Sequence, residues 1–170
     1  MKKLGAMLVA SGILLAANPA MAAEEFLTLK LPGVTGTSVL ANHVGEIVIW
    51  SFSLGVSSPA SQKNGSQSCS ELSVTKEVDQ SSPILFQDTV FGVDFPQAIL
   101  TFSKSPSPGV VTDVYKITLN NVSITSVQNA GSIGGGIPFE SLSLKATSWV
   151  VTSISPVPGQ TVTANVACLR

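Results

Sequence analysis

The chain has 170 residues, of which 11% are charged, with 9 basic and 10 acidic side chains and a formal net charge of −1. That length fits one domain with a sizeable core. Beyond the initial Lys2-Lys3 its lysines are scattered singly, which excludes a basic stripe for nucleic acid or a cationic helix for a membrane surface, and its single histidine excludes a metal centre of several imidazoles.

The first 22 residues read as an export signal. Met1-Lys2-Lys3 is a positive start, Leu4 to Ala17 is apolar and uncharged, and Asn18 to Ala22 ends in A-M-A. Cleavage is expected after Ala22. The apolar stretch is shorter than the roughly 20 residues that span a bilayer, so no stable membrane insertion is expected once the signal is removed. The domain is then 23–170, with 7 basic and 10 acidic residues and a net charge of about −3. Its location is secreted or periplasmic.

Within that domain, Phe26 to Leu31 alternates, with Leu27, Leu29 and Leu31 on one face, and Pro32-Gly33 ends the run. Gly45 to Leu54 reads as a longer strand. Val48, Trp50, Phe52 and Leu54 share one parity and are expected to fill the core; on the other face Ile47 and Ile49 give way to outward Ser51 and Ser53, so burial passes from two-sided to one-sided along the strand. Residues 57–70 hold almost nothing apolar and read as a long loop.

Ser73 to Val78 alternates again, and Asp79 to Ser82 breaks the pattern. Pro83 after a serine, with Gly92 nine residues on, predicts one short helix. Serine oxygen accepts an orphan N–H, proline needs no donor at the first helical position, and glycine closes the end in the left-handed conformation. Ile84, Leu85 and Phe91 give this helix a face to bury, and it is expected to cover one end of the fold. Further strands are predicted at 98–104, 110–119, 122–128, 139–154 and 162–168, with a glycine loop over 129–138. About eight strands and one helix imply an all-β fold, a small two-sheet barrel or sandwich.

Catalytic groups are scarce. His43 has Glu46 nearby, but a lone loop histidine without a G-x-S-x-G elbow is a poor start for a hydrolase. Glu24/Glu25 and Glu77/Asp79 sit at a terminus and a turn, where carboxylates are surface charges or caps. "GSIGGGIP" leads from strand to strand, with no helix start to hold phosphate. Asn64 and Asn121 match a glycosylation pattern that is common in serine-rich chains. The chain is read as no enzyme, with no cofactor and no metal. Cys69 and Cys168 form an even pair in an exported chain, so one disulfide is the expectation and two unpaired thiols the alternative.

Five stretches in order resemble the Hcp family, the ring-forming tube proteins of type VI secretion systems. They are "FLTLKLPGVTG" (26–36), His43 with "IVIWSFSLG" (47–55), "LSVTKEVDQSSPILF" (72–86), "YKITLNNVSITSV" (115–127) and "PFESLSLKATSWVV" (138–151). The third, in which a strand leads through Thr-Lys, Asp and Ser-Pro into the single helix, is the most specific. The resemblance implies a small β-barrel that closes into a ring, most often a hexamer. Such rings stack into a tube that carries effector proteins, and self-association and other type VI components are the implied partners. It also implies that Ser51, and with it Ser53, lines the channel. Family members generally lack an export signal, so this chain is read as an exported variant. The competing reading is an exported β-sandwich binding module, such as an adhesin or a pilus-type subunit, which does not predict the strand-to-helix motif.

Overall fold

The computed structural model describes residues 23–57, 68–107 and 109–168. The export-signal reading of residues 1–22 and the middle of the long polar loop lie outside them. Ten strands and one helix follow in the order β1 (Glu24–Lys30), β2 (Ile47–Val48), β3 (Ser51–Ser53), β4 (Val56–Ser57), β5 (Ser68–Cys69), β6 (Leu72–Glu77), α1 (Ser82–Phe91), β7 (Asp94–Ser107), β8 (Val110–Ala130), β9 (Phe139–Ser153) and β10 (Val162–Ala167).

Eight strands form one antiparallel sheet in the order β2-β1-β7-β8-β9-β6-β3, with β10 also paired to β9. The two ends of that order, β2 and β3, are successive pieces of one short run of chain. The Ile49 amide donates to the Leu27 carbonyl at 2.9 Å and the Trp50 amide to the Thr75 carbonyl at 2.8 Å. One short run thus hydrogen-bonds both ends of the sheet and curls it into a barrel. Inside lie Leu29, Leu72, Val74, Leu100, Ile117 and Leu144, all buried. They come from alternating positions of their strands, as a pleat with one buried face requires.

The closing run departs from the expected parity over residues 47–50, whereas in β3 Phe52 stands opposite buried Val74, Leu54 packs on the core and Ser51 and Ser53 face outward, as expected. Ile47 and Ile49 are the buried residues, while Trp50 is 61% and Phe52 37% exposed. Period-2 alternation offers either face to the core, and the two isoleucines beside β1 take it. Ser51 and Ser53 are exposed as well, so β3 has no buried residue. The ring of Trp50 meets Phe139 edge-on, with centroids 5.8 Å apart, on the outer surface.

Two predicted strands, 110–119 and 122–128, are one strand of 21 residues. The Asn120-Asn121 pair does not turn the chain. Asn121 adopts φ 50° within β8, and its side-chain amide donates to Thr147 Oγ1 at 3.1 Å. Register with β9 is unchanged across it, and the shift comes later, between Ile124 and Ser126. Asparagine tolerates the left-handed region, so here it kinks a strand.

Helix α1 starts and stops where its end signals place it, by a different cap. Asp79 Oδ1 accepts the Ser81 amide at 2.9 Å and the Ser81 hydroxyl, while Ser82 Oγ accepts the Asp79 amide at 3.1 Å. No serine side chain caps a helical N–H. At the far end Gly92 has φ 64°, and the Gly92 and Val93 amides return to the Thr89 and Asp88 carbonyls. The helix packs on β8 through buried Leu85; of the three residues expected to form its inner face, Ile84 and Phe91 are exposed.

Candidate functional site

The strand that enters the helix carries a lysine at a core position. Val74 and Lys76 share the inward parity of β6, and both are buried. The Lys76 ammonium satisfies its three donors on Ser82 Oγ at 2.9 Å, Asp79 Oδ1 at 2.9 Å and Glu140 Oε1 at 3.1 Å. Glu140 belongs to β9, directly opposite Lys76. Strand, turn, helix start and neighbouring strand are thereby locked together. Burial alone pushes the Asp79 carboxyl up, but hydrogen bonds from Ser81 and Lys76, with the lysine charge, outweigh it and hold Asp79 below its ordinary value.

His43 sits in a second polar cluster. The loop that carries it folds back through Gly36 N–H to Gly45 C=O and Ser38 N–H to Glu46 C=O. A Cβ at Gly36 would collide with the Glu46 carbonyl, so this close approach requires glycine. The imidazole bridges Glu46 Oε2 and Asp113 Oδ1, each at 2.9 Å, and is buried. Ser103 lies 3.4 Å from Nε2, which completes a serine, histidine and carboxylate in composition. Its hydroxyl, however, donates to Asp113 at 2.8 Å, and Ser103 is 1% exposed. A nucleophile needs an open approach and a hydroxyl directed at its base. This one has neither, and the cluster pins the 36–46 loop to the β7–β8 hairpin. Burial raises the Asp113 carboxyl, and hydrogen bonds from His43 and Ser103 more than reverse it, leaving Asp113 below its ordinary value. Asp113 and Ser103 carried no local sequence signal, since their strands reach His43 only through the fold.

Among the described residues no group of three or more His, Cys, Asp or Glu side chains is placed to hold a metal ion. No helix there is long and apolar enough to cross a membrane. The cysteines Cys69 and Cys168 are joined, with Cα atoms 5.5 Å apart.

What remains is surface. An open cleft of about 870 Å³ runs along the barrel seam between Phe26, Trp50, Phe52, Phe102 and Ile137, with Glu77 at its rim. On α1, Ile84, Phe86, Val90 and Phe91 face solvent. A helix apolar on nearly every side is ordinarily a covered one. Such a surface suits association between proteins rather than chemistry.

The family model described as type VI secretion system effector, Hcp, matches residues 28–152. The chain belongs to the Hcp family. Among solved structures, Hcp1 from Salmonella typhimurium is 26% identical with a TM-score of 0.69, over 84% of this chain and 94% of that one. A type VI secretion system effector from Yersinia pestis is 23% identical with a TM-score of 0.68, over 85% and 99%. The secreted protein Hcp3 from Pseudomonas aeruginosa is 12% identical with a TM-score of 0.63, over 88% and 100%, which shows a shared fold. No curated protein matches the chain. Hcp proteins are structural tube components that form rings and engage other parts of the secretion system. In this Hcp chain Lys76, Asp79 and Ser82 lie inside the strand-to-helix stretch that carried the resemblance, and Glu140 in the last of the five stretches.

Proposed function

We propose that this chain is an exported Hcp-type ring subunit. Six copies close head to tail, rings stack into a tube, and the channel carries effector proteins. The observation that carries the reading is the pair of separate apolar surfaces on one subunit. Trp50 at the barrel seam is 61% exposed, while Val90 and Phe91 on α1 are 78% and 72% exposed. A closed ring of head-to-tail contacts uses two different patches on each subunit, whereas a monomeric binding module has no need of both.

In this reading Ser51 and Ser53 line the channel. Both are exposed, and Ser51 Oγ shares a 2.6 Å hydrogen bond with Thr75 Oγ1 on the neighbouring strand. Small uncharged hydroxyls suit a lumen that passes varied cargo. Residues 1–22 act as a cleaved signal, which places the mature protein in the periplasm or outside the cell. That location is consistent with the Cys69–Cys168 bond.

The test uses mature protein lacking residues 1–22, examined by native mass spectrometry and negative-stain microscopy. Hexameric rings are the expected result. Ser51→Trp is expected to leave the ring intact and reduce cargo retention. A strictly monomeric species at high concentration would overturn the ring reading and favour the binding module.

A further inference from the structure

The disulfide sits at a discontinuity in the barrel. Along one edge of β9, β6 and β10 lie end to end. The β6 ladder finishes at Leu72 opposite Leu144, and the β10 ladder at Ala167 opposite Ser148. Between them β9 residues 145–147 have no strand partner on that side except through the Cys168 amide, which donates to the Thr147 carbonyl at 2.9 Å. Cys69 and Cys168 are the residues at this gap, and their bond joins the two strand ends across it.

Cys69 also belongs to a piece of structure that the main sheet does not hold. Strands β4 and β5 form a separate two-stranded sheet, two residues each, paired Val56 to Cys69 and Ser57 to Ser68. They continue the β3–β6 hairpin beyond Ser53 and Ser73. Their other links are the Ser70 amide to the Gly55 carbonyl at 2.9 Å and the Gly55 amide to Ser70 Oγ at 2.8 Å. Val56 is exposed. So short a ribbon, touching the core through Cys69, is not stable by itself in water.

We propose that the Cys69–Cys168 bond is a redox-operated catch: oxidised, it seats the paired strands β4 and β5 beside the end of β10, and reduced, it releases them while the barrel stays folded. The chemistry is thiol–disulfide exchange with a dithiol. One dithiol sulfur attacks and its partner then resolves the mixed disulfide, so the S–S bond breaks. Cys69 and Cys168 each end as a thiol, gaining one electron and one proton, and the dithiol becomes a cyclic disulfide. Both cysteines are half-buried, at the margin of the core rather than within it. The consequence is that strands β4 and β5 are presented in their seated form in an oxidising compartment and not in a reducing one. This goes beyond ring formation and is read on the subunit itself.

The experiment is amide hydrogen exchange, resolved by peptide, on mature protein in three forms: oxidised, reduced with dithiothreitol, and Cys69→Ser/Cys168→Ser. The chain has two cysteines in all, so the reductant has one target. Peptides covering 54–57 and 68–71 are expected to exchange at least ~10-fold faster in the reduced and double-serine forms, since exchange reports local opening. Peptides within β7 and β8 are expected to keep their protection. Unchanged exchange at 54–57 and 68–71 would overturn the proposal. So would a uniform rise across all strands, which would make the bond a brace for the whole fold.

Discussion

Lys76 Nζ and Glu140 Oε1 lie 3.1 Å apart with neither side chain reaching solvent. They stand opposite one another on β6 and β9, and Asp79 and Ser82 bring the start of α1 to the same ammonium. An ion pair this deep costs heavily in desolvation and repays it only as far as its polar atoms are matched; the donors of Lys76 are, while Glu140 Oε2 has no hydrogen-bond partner. Its value lies in fixing the strand-to-helix corner in one arrangement.

Replacing Lys76 by methionine keeps the length and removes the charge. Glu140 is then left buried without its cation, a loss of about 3–5 kcal/mol for one broken partner. Lys76→Met/Glu140→Leu is expected to recover a large part of that loss. Urea denaturation of the wild type and both variants measures it, and equal stability of the single and double variants would contradict this account.

Acid should weaken the fold through Asp79 and Asp113. Burial raises each carboxyl, but hydrogen bonds and neighbouring charges prevail, so both titrate lower folded than unfolded. A group depressed on folding contributes stability above its unfolded value, and loses it as pH falls through the folded one. Denaturant midpoints should therefore hold steady down to about pH 4 and fall below it. Asp79→Asn should start from a lower midpoint and show a shallower acid decline. A midpoint that rises on acidification would contradict the sign.

Trp50 and Trp149 differ sharply in exposure, at 61% and 2%. Iodide should quench Trp50 and spare Trp149 in dispersed subunits, and ring closure over the seam should protect Trp50. Trp50→Ser removes an edge-on contact with Phe139 worth about 0.5–1.5 kcal/mol, yet it should reduce the oligomer far more than the stability of the subunit. Size-exclusion chromatography beside thermal melting separates the two effects.

The Cys69–Cys168 bond and the processed N-terminus are checked on the same secreted material. Non-reducing peptide mass spectrometry on secreted protein should recover the Cys69–Cys168 pair, and N-terminal sequencing of the same sample should begin at Ala23. Free thiols at both positions, or a retained Met1, would contradict the exported reading.

Local signals determined most of the elements. Alternation located β1, β6 and β9, and Ser-Pro with a distant glycine located α1, because pleat and cap are decided within a few residues. The order of five such stretches was enough to point to the Hcp family. The face each element presents was decided elsewhere. Val48 and Trp50 look like part of a core face until Ile47 and Ile49 pack beside Leu29 and occupy the barrel. Asn120-Asn121 looks like a turn until β9 pairs along both sides of it. Lys76 shares its parity with Val74, which marks an inward lysine, but its acceptor Glu140 is 64 residues away and is found only when β9 lies against β6. His43 likewise gains Asp113 and Ser103 from the β7–β8 hairpin. Periodicity is a property of one segment, whereas burial and pairing belong to the closed sheet, so the tertiary structure alone decided which side faces in and which charges meet.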